Sequence, residues 1–309
     1  MEPGYLELAQ KGELRRRAQE AVALLQSCTL CPRTCGVNRL EGEQGFCRTG
    51  RLARIASYNP HFGEEAPLVG TQGSGTVFFS SCNLLCSFCQ NYEISHGNQG
   101  EEGTAGQLAS VMLLLAEQGC PNINFVTPTH VVPQILEALV IAVDHGLRVP
   151  LVYNTGGYDK VETLQLLEGV FDIYMPDFKF WDGTWSERFC SAPDYPEAAR
   201  AALREMHRQV GNLVLDDQGV AQRGMLVRHL VLPGGIAGTR GVAGFIAEEL
   251  STRTYVNVMD QYRPCGDAAC DAMLDRRLMA EEFREAMDCA REAGLERLDP
   301  RDRIRFALF

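Results

Sequence analysis

Short apolar runs alternate with amphipathic stretches over the chain beyond residue 75. The runs that predict strands are 76–80, 123–127, 151–154, 172–176, 225–231 and 256–259. The stretches with apolar residues at helical spacing are 105–118, 132–145, 160–168, 197–210, 241–250 and 280–293. Strand-then-helix units join parallel strands through right-handed crossovers. The pattern therefore predicts an α/β fold of six such units, ending in a C-terminal helix.

The first 74 residues follow a different pattern. Apolar residues recur at helical spacing over 14–25, with Arg and Glu opposite, which predicts an amphipathic helix on the outside of the fold. A loop-rich segment with many glycines follows, and then strand-like pieces and turns. We therefore expect an N-terminal helix and metal-binding segment over 1–74 and the α/β unit over 75–309.

Composition narrows the classes of partner. The net charge of −11 and the pI near 5.1 argue against a general nucleic-acid or anionic-membrane binder. The N-terminus carries Glu and Arg throughout and lacks the apolar core of a signal peptide. No run approaches the roughly 20 apolar residues of a membrane span. We expect a cytoplasmic protein with neither a membrane nor a nucleic acid as partner.

Most of the twelve cysteines are clustered rather than spread along the chain. In a long chain without a signal sequence, clustered cysteines are typical of metal ligands in a reducing compartment. One cluster, which we call the Cys82 loop, directly follows the first predicted strand and contains Cys82, Cys86 and Cys89. The other, the N-terminal cysteine segment, contains Cys28, Cys31, Cys35 and Cys47.

The spacing in the Cys82 loop indicates a metal centre. Three cysteines within eight residues rarely meet disulfide geometry with one another. Their thiolates can hold a [4Fe–4S] cube, which needs four ligands, so one iron keeps an open position for a reactant. The alternative is a structural zinc loop with a distant fourth ligand.

The loop Cys82-Asn-Leu-Leu-Cys86-Ser-Phe-Cys89 resembles the CxxxCxΦC loop of radical S-adenosylmethionine (SAM) enzymes, where Φ is aromatic. Within them the chain looks most like the pyruvate formate-lyase activating enzymes and their PflX-like paralogues. The resemblance implies a partial (β/α)6 barrel with a [4Fe–4S] cluster at its mouth and SAM on the open iron. It also implies that Phe88 packs near the adenine and that Asn91 contacts SAM.

Other strand ends carry further parts of the resemblance. Where activating enzymes hold the SAM amino group with Gly-Gly-Glu, this chain has Thr127-Pro-Thr129-His130, whose hydroxyls, imidazole and backbone carbonyls are the candidate replacements. The resemblance implies a monovalent-cation site beside the SAM carboxylate, formed by Asn154, Thr155, Met175 and Asp177. Asn154 offers a neutral oxygen where the family has a carboxylate, so weak cation binding is expected.

Three more residues are candidate SAM contacts. The resemblance implies that Lys179 supplies positive charge near the SAM carboxylate, with a surface lysine as the alternative. Arg228, in an apolar strand, either points at the adenosine or forms a structural ion pair. Tyr262 follows the sixth strand, where activating enzymes place a histidine near SAM.

The N-terminal cysteine segment has too little apolar material to order itself, so a metal clip is physically sensible. Zinc accepts four thiolates in closed structural sites. An auxiliary [4Fe–4S] cluster uses the same ligands. The sequence predicts a second metal centre here and leaves both identities open.

The remaining polar and thiol residues have plainer interpretations. His61, Glu64 and Glu65 are expected to hydrogen-bond a loop to its neighbours rather than to face the cavity. Cys265 and Cys270 suggest local packing, with metal binding or a redox pair as alternatives. The others are expected to be isolated core cysteines, namely Cys120, Cys190 and Cys289.

The resemblance implies reductive cleavage of SAM to a 5′-deoxyadenosyl radical that abstracts hydrogen, with a flavodoxin or ferredoxin as electron donor. One hypothesis for the substrate is a glycyl radical protein. A second is a peptide or small molecule modified with help from the N-terminal centre. A third, non-enzymatic hypothesis is an iron–sulfur scaffold or sensor that binds SAM without cleaving it.

Overall fold

The computed structural model describes residues 1–300. Its strands are β1 (Ala53–His61), β2 (Ser74–Phe79), β3 (Glu101–Gly103), β4 (Ile123–Val126), β5 (Leu151–Thr155), β6 (Ile173–Pro176), β7 (Val214–Leu215), β8 (Ala221–Leu230), β9 (Tyr255–Met259) and β10 (Arg297–Leu298). Its helices are α1 (Gly4–Gln10), α2 (Glu13–Ala23), α3 (Ala66–Val69), α4 (Tyr92–Ser95), α5 (Ala105–Glu117), α6 (Val132–Asp144), α7 (Val161–Leu166), α8 (Gly183–Cys190), α9 (Tyr195–Val210), α10 (Thr239–Phe245) and α11 (Ala280–Glu292).

The strands form one mixed sheet in the order β10-β9-β8-β6-β5-β4-β2-β1-β3, and β7 pairs with β8. The six predicted strands are present as β2, β4, β5, β6, β8 and β9, and each pairs in parallel with the next one along the chain. The six predicted helices are present as α5, α6, α7, α9, α10 and α11. The α/β fold class is therefore confirmed.

The two faces of the sheet pack against different partners. Alternate strand residues such as Phe125, Tyr153 and Val227 join the large core formed with the helices. Their neighbours of opposite parity form a second core with Leu68 of α3. The segment that contains α3 thus covers the inner face of the sheet, while the long helices pack on the outer face. Sequential strand order with helices on one face is the winding of a (β/α) barrel.

The N-terminal region adds to this sheet. The predicted amphipathic helix is α2, and it packs against α6. The antiparallel pairing of β1 with β2 extends the sheet across the expected boundary at residue 74/75. The sequence pattern missed α1, α8 and β10, all of which are short. No helix in residues 1–300 combines the length and apolar character needed to cross a membrane. The expected α/β unit also included 301–309, which lie outside the described residues.

Candidate metal and SAM site

The Cys82 loop leaves the carboxyl end of β2 and turns sharply. Ser81 and Leu85 adopt positive φ values of 73° and 50°, which let the chain curl back on itself. The Leu84 N–H lies 3.3 Å from the Cys82 sulfur, and the Asn91 backbone N–H faces the Cys89 sulfur. Backbone N–H groups directed at sulfur favour the thiolate, which is the metal-binding form of cysteine.

The segment after β5 and the helix α8 hold this loop in place. The Asn83 side chain donates to the Tyr158 carbonyl oxygen (2.7 Å) beyond β5. A Cβ at Gly156 would lie 2.9 Å from a methyl group of Leu84, so the loop approaches this segment closely and a larger residue there would displace the Leu84 side chain. On the other side, the Ser87 N–H donates to the Phe189 carbonyl oxygen (2.9 Å) on α8.

Positive charge lies beside the loop. The Lys179 ammonium is 2.5 Å from the Asp177 carboxylate, just after β6. Burial alone would lower the pKa of Lys179, but Asp177 and Cys86 outweigh it and raise that pKa well above its usual value. Burial raises the pKa of Cys82 to about 12. Without metal the thiol therefore stays protonated at neutral pH, and metal binding there would release protons.

Two cysteines outside the motif also reach the loop. The Cys190 sulfur, at the end of α8, lies 3.2 Å from the Cys86 sulfur, so Cys190 is not the isolated core cysteine that was expected. The Cys265 sulfur lies 3.3 Å from the Phe88 carbonyl oxygen and 3.4 Å from that of Cys89. Cys190 and Cys265 are far from the motif in sequence, so the sequence did not indicate either contact. The Phe88 ring itself packs edge-on against Phe180, with centroids 5.6 Å apart.

The candidate SAM contacts at the end of β4 differ in burial and in hydrogen-bond partners. Thr127 is half-buried, has φ = 61°, and donates its N–H to the Asn154 carbonyl oxygen (2.8 Å). A β-branched residue at positive φ is strained, and such strain concentrates at functional sites. The Thr129 hydroxyl is instead buried and donates to the Asp159 carboxylate (2.7 Å).

Asp159 is a buried carboxylate that the sequence analysis did not single out. It also accepts the hydroxyl groups of Thr155 (2.6 Å) and Tyr153 (2.9 Å). Burial raises its pKa. Asp159 lies four residues after Thr155, and this spacing alone is too weak a signal to predict the hydrogen-bond network. The Thr129 and Thr155 hydroxyls therefore belong to this buried hydrogen-bond network.

The expected cation-site residues are brought together only in part. Asn154 and Met175 are register partners on β5 and β6. The Asp177 N–H donates to the Thr155 carbonyl oxygen (2.9 Å). The Thr155 side chain, however, is directed at Asp159, and the Asp177 carboxylate is directed at Lys179.

Arg228 forms the ion pair that was the alternative to a SAM contact. Its guanidinium pairs with the carboxylates of Glu65 (2.5 Å) and Glu64, which precede α3. Asn257 also donates to Glu65 (2.5 Å). Burial alone would raise the pKa of Glu64, but Arg228 and His61 outweigh it and lower the pKa to about 2. The two glutamates thus tie the segment over the inner face to β8 and β9.

Tyr262 is held by the segment that follows it. It is buried, and its hydroxyl donates to the Leu274 carbonyl oxygen (2.7 Å).

The four cysteines of the N-terminal segment line one small cavity together with His130, Arg39 and Asn83. The segment is docked on the Cys82 loop. Arg33 donates to the carbonyl oxygens of Asn83 (2.9 Å) and Cys190 (2.8 Å), and the Asn83 side chain donates toward the Cys31 sulfur. The two cysteine sets therefore lie side by side at the carboxyl end of the sheet.

Arg39 is unusual because it is fully buried, at 1% exposure, beside this cavity. It donates to the carbonyl oxygens of Gly50 (3.1 Å) and His130 (2.9 Å) and lies 3.8 Å from the Cys28 sulfur. Its hydrogen-bond partners among residues 1–300 are carbonyl oxygens and a thiol rather than carboxylates. A buried cation needs compensating negative charge, which thiolates at a metal centre supply.

Both cysteine sets suit an iron–sulfur cluster in donor type, burial and nearby positive charge. Among residues 1–300, no group of three or more His, Cys, Asp or Glu side chains has the arrangement of a single-ion site. Each thiolate of a cube binds a different iron atom, so cluster ligands need not converge on one point.

Comparisons with known proteins give a relative by sequence and a similar solved structure. No family model matches the chain. A solved structure titled "Native anSMEcpe with bound AdoMet" superposes with a TM-score of 0.48 and 10% identity, covering 71% of this chain and 61% of that one. "Uncharacterized protein MJ0674" of Methanocaldococcus jannaschii is 31% identical over 301 residues, which covers 94% of this chain and 82% of the relative. The chain therefore belongs to the same protein family as this Methanocaldococcus protein.

Proposed function

We propose that this protein is a radical SAM enzyme. The observation that carries the proposal is the position of the CxxxCxΦC loop at the carboxyl end of β2, beside Lys179 and the ends of β5 and β6. In parallel α/β folds, this end of the sheet carries the reactive site. The chemistry of the loop and its place in the fold therefore agree.

Cys82, Cys86 and Cys89 would hold the cluster through three thiolates. When bound, the [4Fe–4S] cluster would supply the electron that cleaves SAM reductively to methionine and a 5′-deoxyadenosyl radical. Lys179 offsets the negative charge of the thiolates, and Asp177 keeps its ammonium in place. Thr127 offers a hydroxyl for the SAM amino group at the end of β4. The Phe88 ring packs against Phe180, and Cys265 in the loop after β9 contacts the Phe88 carbonyl oxygen; these contacts would limit the access of water to the sulfurs.

The N-terminal cysteine segment would hold a second metal centre. Its four cysteines line one cavity beside the buried cation Arg39. Thiolates are the donors of both structural zinc sites and auxiliary [4Fe–4S] clusters, so the donor type leaves both identities open. A flavodoxin or ferredoxin would donate the electron in the cytoplasm, and a monovalent cation near Asp177 would assist SAM binding.

Two substrate classes remain in competition. The resemblance to activating enzymes favours a glycyl radical protein whose glycine loses its α-hydrogen. Direct modification of a peptide or small molecule is favoured by the docking of the N-terminal segment on the Cys82 loop through Arg33, which places its cysteines beside the proposed radical source.

Anaerobic reconstitution tests the proposal. The reconstituted protein, reduced with dithionite and given SAM, should release 5′-deoxyadenosine, which mass spectrometry measures. A variant with Cys82, Cys86 and Cys89 changed to alanine should release none. The Cys289→Ala variant is its control and should cleave SAM as the parent does, because Cys289 lies on α11 and not in the Cys82 loop. Failure of the parent and of the Cys289→Ala variant to cleave SAM would support the scaffold hypothesis and reject the proposal. Adding a candidate glycyl radical protein and recording its electron paramagnetic resonance spectrum separates the two substrate classes.

A further inference from the structure

His130 has a hydrogen-bonding arrangement that SAM binding does not explain. The residue is 1% exposed and lines the cavity of the N-terminal cysteine segment. Its Nε2 lies 2.9 Å from the Ser80 carbonyl oxygen, whereas its Nδ1 is buried and has no hydrogen-bond partner among the described residues. A buried ring nitrogen without a partner costs free energy, so the missing partner needs an explanation.

The tautomer follows from the Ser80 contact. A carbonyl oxygen only accepts hydrogen bonds, so Nε2 carries the proton and donates it. In the neutral ring, Nδ1 then holds a free lone pair. Metal-ligating histidines commonly donate their other N–H to a backbone carbonyl in this way, which fixes the ring and directs the lone pair at the metal.

The cysteines around the cavity differ in burial. Cys28, Cys31 and Cys47 are buried, whereas Cys35 is exposed. We propose that Cys28, Cys31, Cys47 and the Nδ1 atom of His130 ligate the N-terminal metal centre, and that Cys35 is not a ligand. This inference rests on the N-terminal metal centre of the proposed function.

Charge supports this ligand set. Three thiolates around a doubly positive metal core, whether a zinc ion or an oxidised [4Fe–4S] cube, leave one net negative charge. Four thiolates would leave two. Arg39, the buried cation beside the Cys28 sulfur, offsets the charge of the three-thiolate set, and the partly exposed Arg33 is the other arginine that lines the cavity. Since Arg39 also donates to the His130 carbonyl oxygen (2.9 Å), it contacts two of the proposed ligand residues.

The Ser80 contact gives the ligand set a consequence for the Cys82 loop. Ser80 lies two residues before Cys82, and the same imidazole that binds the N-terminal metal would hold its carbonyl oxygen. Loading of the N-terminal centre would thereby fix the start of the Cys82 loop.

The test uses the full chain with Cys82, Cys86 and Cys89 changed to alanine, so that only the N-terminal centre binds metal. It is loaded anaerobically with zinc or with iron and sulfide, and X-ray absorption spectroscopy at the metal edge counts the protein ligands. We expect one nitrogen beside the sulfurs, whereas a shell of sulfur alone would overturn the proposal. This measurement leaves His130 intact and so does not depend on how well a variant folds.

Two further substitutions in the same background supply a matched comparison. His130→Ala should weaken metal binding by at least tenfold, while Cys35→Ala should leave it unchanged. The opposite order, with metal lost from Cys35→Ala and retained by His130→Ala, would refute the ligand set. If the unsubstituted background binds neither zinc nor iron, the metal centre itself fails, which is distinguishable from a centre with four sulfur ligands.

Discussion

The two cysteine sets look alike in sequence but are supported in different ways. The Cys82 loop is anchored to the segments after β5 and β6 and packs Phe88 into the large core. The N-terminal cysteine segment has only a small apolar cluster of its own, formed by Leu25, Cys28 and Leu30. Its contacts with the rest of the protein are mainly arginine side chains bound to carbonyl oxygens.

This difference indicates that the fold orders one cysteine set, whereas bound metal orders the other. The fold positions the Cys82 loop, so its conformation should survive without metal. The N-terminal segment buries too little apolar surface to offset the entropy of ordering its backbone, which costs roughly 1–2 kcal/mol per residue. Metal binding is then the main source of order in that segment.

The largest expected effect is the loss of chemistry from the Cys82 loop. A Cys82→Ala, Cys86→Ala, Cys89→Ala variant should lose about four iron atoms per chain and all SAM cleavage, because a cube needs these thiolates. Its circular dichroism spectrum and the protease resistance of the N-terminal segment should match those of the parent. Residual SAM cleavage, or collapse of the N-terminal segment, would contradict the separation of the two regions.

Second is the loss of order in the N-terminal segment. Changing Cys28, Cys31 and Cys47 to serine should expose residues 28–50 to hydrogen exchange and proteolysis while β2, β4 and β5 stay protected. Amide exchange followed by mass spectrometry measures both. The Cys35→Ser variant is the control and should stay protected. Global unfolding of the triple variant would show that the segment supports the whole sheet.

Much of this architecture could be predicted from the sequence. The six parallel strands have continuous apolar runs because they are buried on both faces, and that signal survives without tertiary information. The CxxxCxΦC spacing located the Cys82 loop because its ligands are neighbours in sequence. The sequence also predicted an ion pair as one of two roles for Arg228, although it could not identify the carboxylate partners, which lie more than 160 residues away.

What could not be predicted depends on contacts between distant residues. Cys190 meets Cys86 across 104 positions, and Arg39 meets His130 across 91. Neither pair has a local pattern that marks it. The short strand β10 and helix α1 also lack enough periodic residues for a signal. The position of His130 at a predicted strand end makes it a candidate SAM contact, whereas the sequence does not reveal the direction of its ring.

Third in size is the effect of removing the buried Arg39 cation. In the metal-loaded protein, Arg39→Met should destabilise the N-terminal segment by roughly 3–5 kcal/mol, because it leaves a buried anionic centre uncompensated. In metal-free protein the same change should be close to neutral, because the guanidinium then has only carbonyl and thiol partners. Amide exchange within residues 28–50, with and without metal, measures the difference. An equal cost in both states would show that Arg39 does not respond to a metal centre.

The smallest expected effect distinguishes two threonines at the end of β4, Thr127 and Thr129. Thr127→Val removes a half-buried hydroxyl at the mouth of the sheet and nearly keeps the side-chain shape. If that hydroxyl accepts a hydrogen bond from the SAM amino group, the substitution removes a charge-assisted hydrogen bond worth roughly 1.5–3 kcal/mol. SAM binding should then weaken about ten- to a hundredfold.

Thr129→Val is the matched control, because its hydroxyl is committed to the buried Asp159 carboxylate. This change should lower the free energy of unfolding by about 1–3 kcal/mol, since Asp159 loses one of its hydrogen bonds, while SAM binding by the folded protein stays near that of the parent. Equilibrium SAM binding and urea unfolding of the two reconstituted variants test the assignment. If Thr127→Val binds SAM like the parent, the amino group is held by backbone carbonyls or by another loop. If Thr129→Val weakens SAM binding without loss of stability, the Asp159 network belongs to the SAM site rather than to the large core.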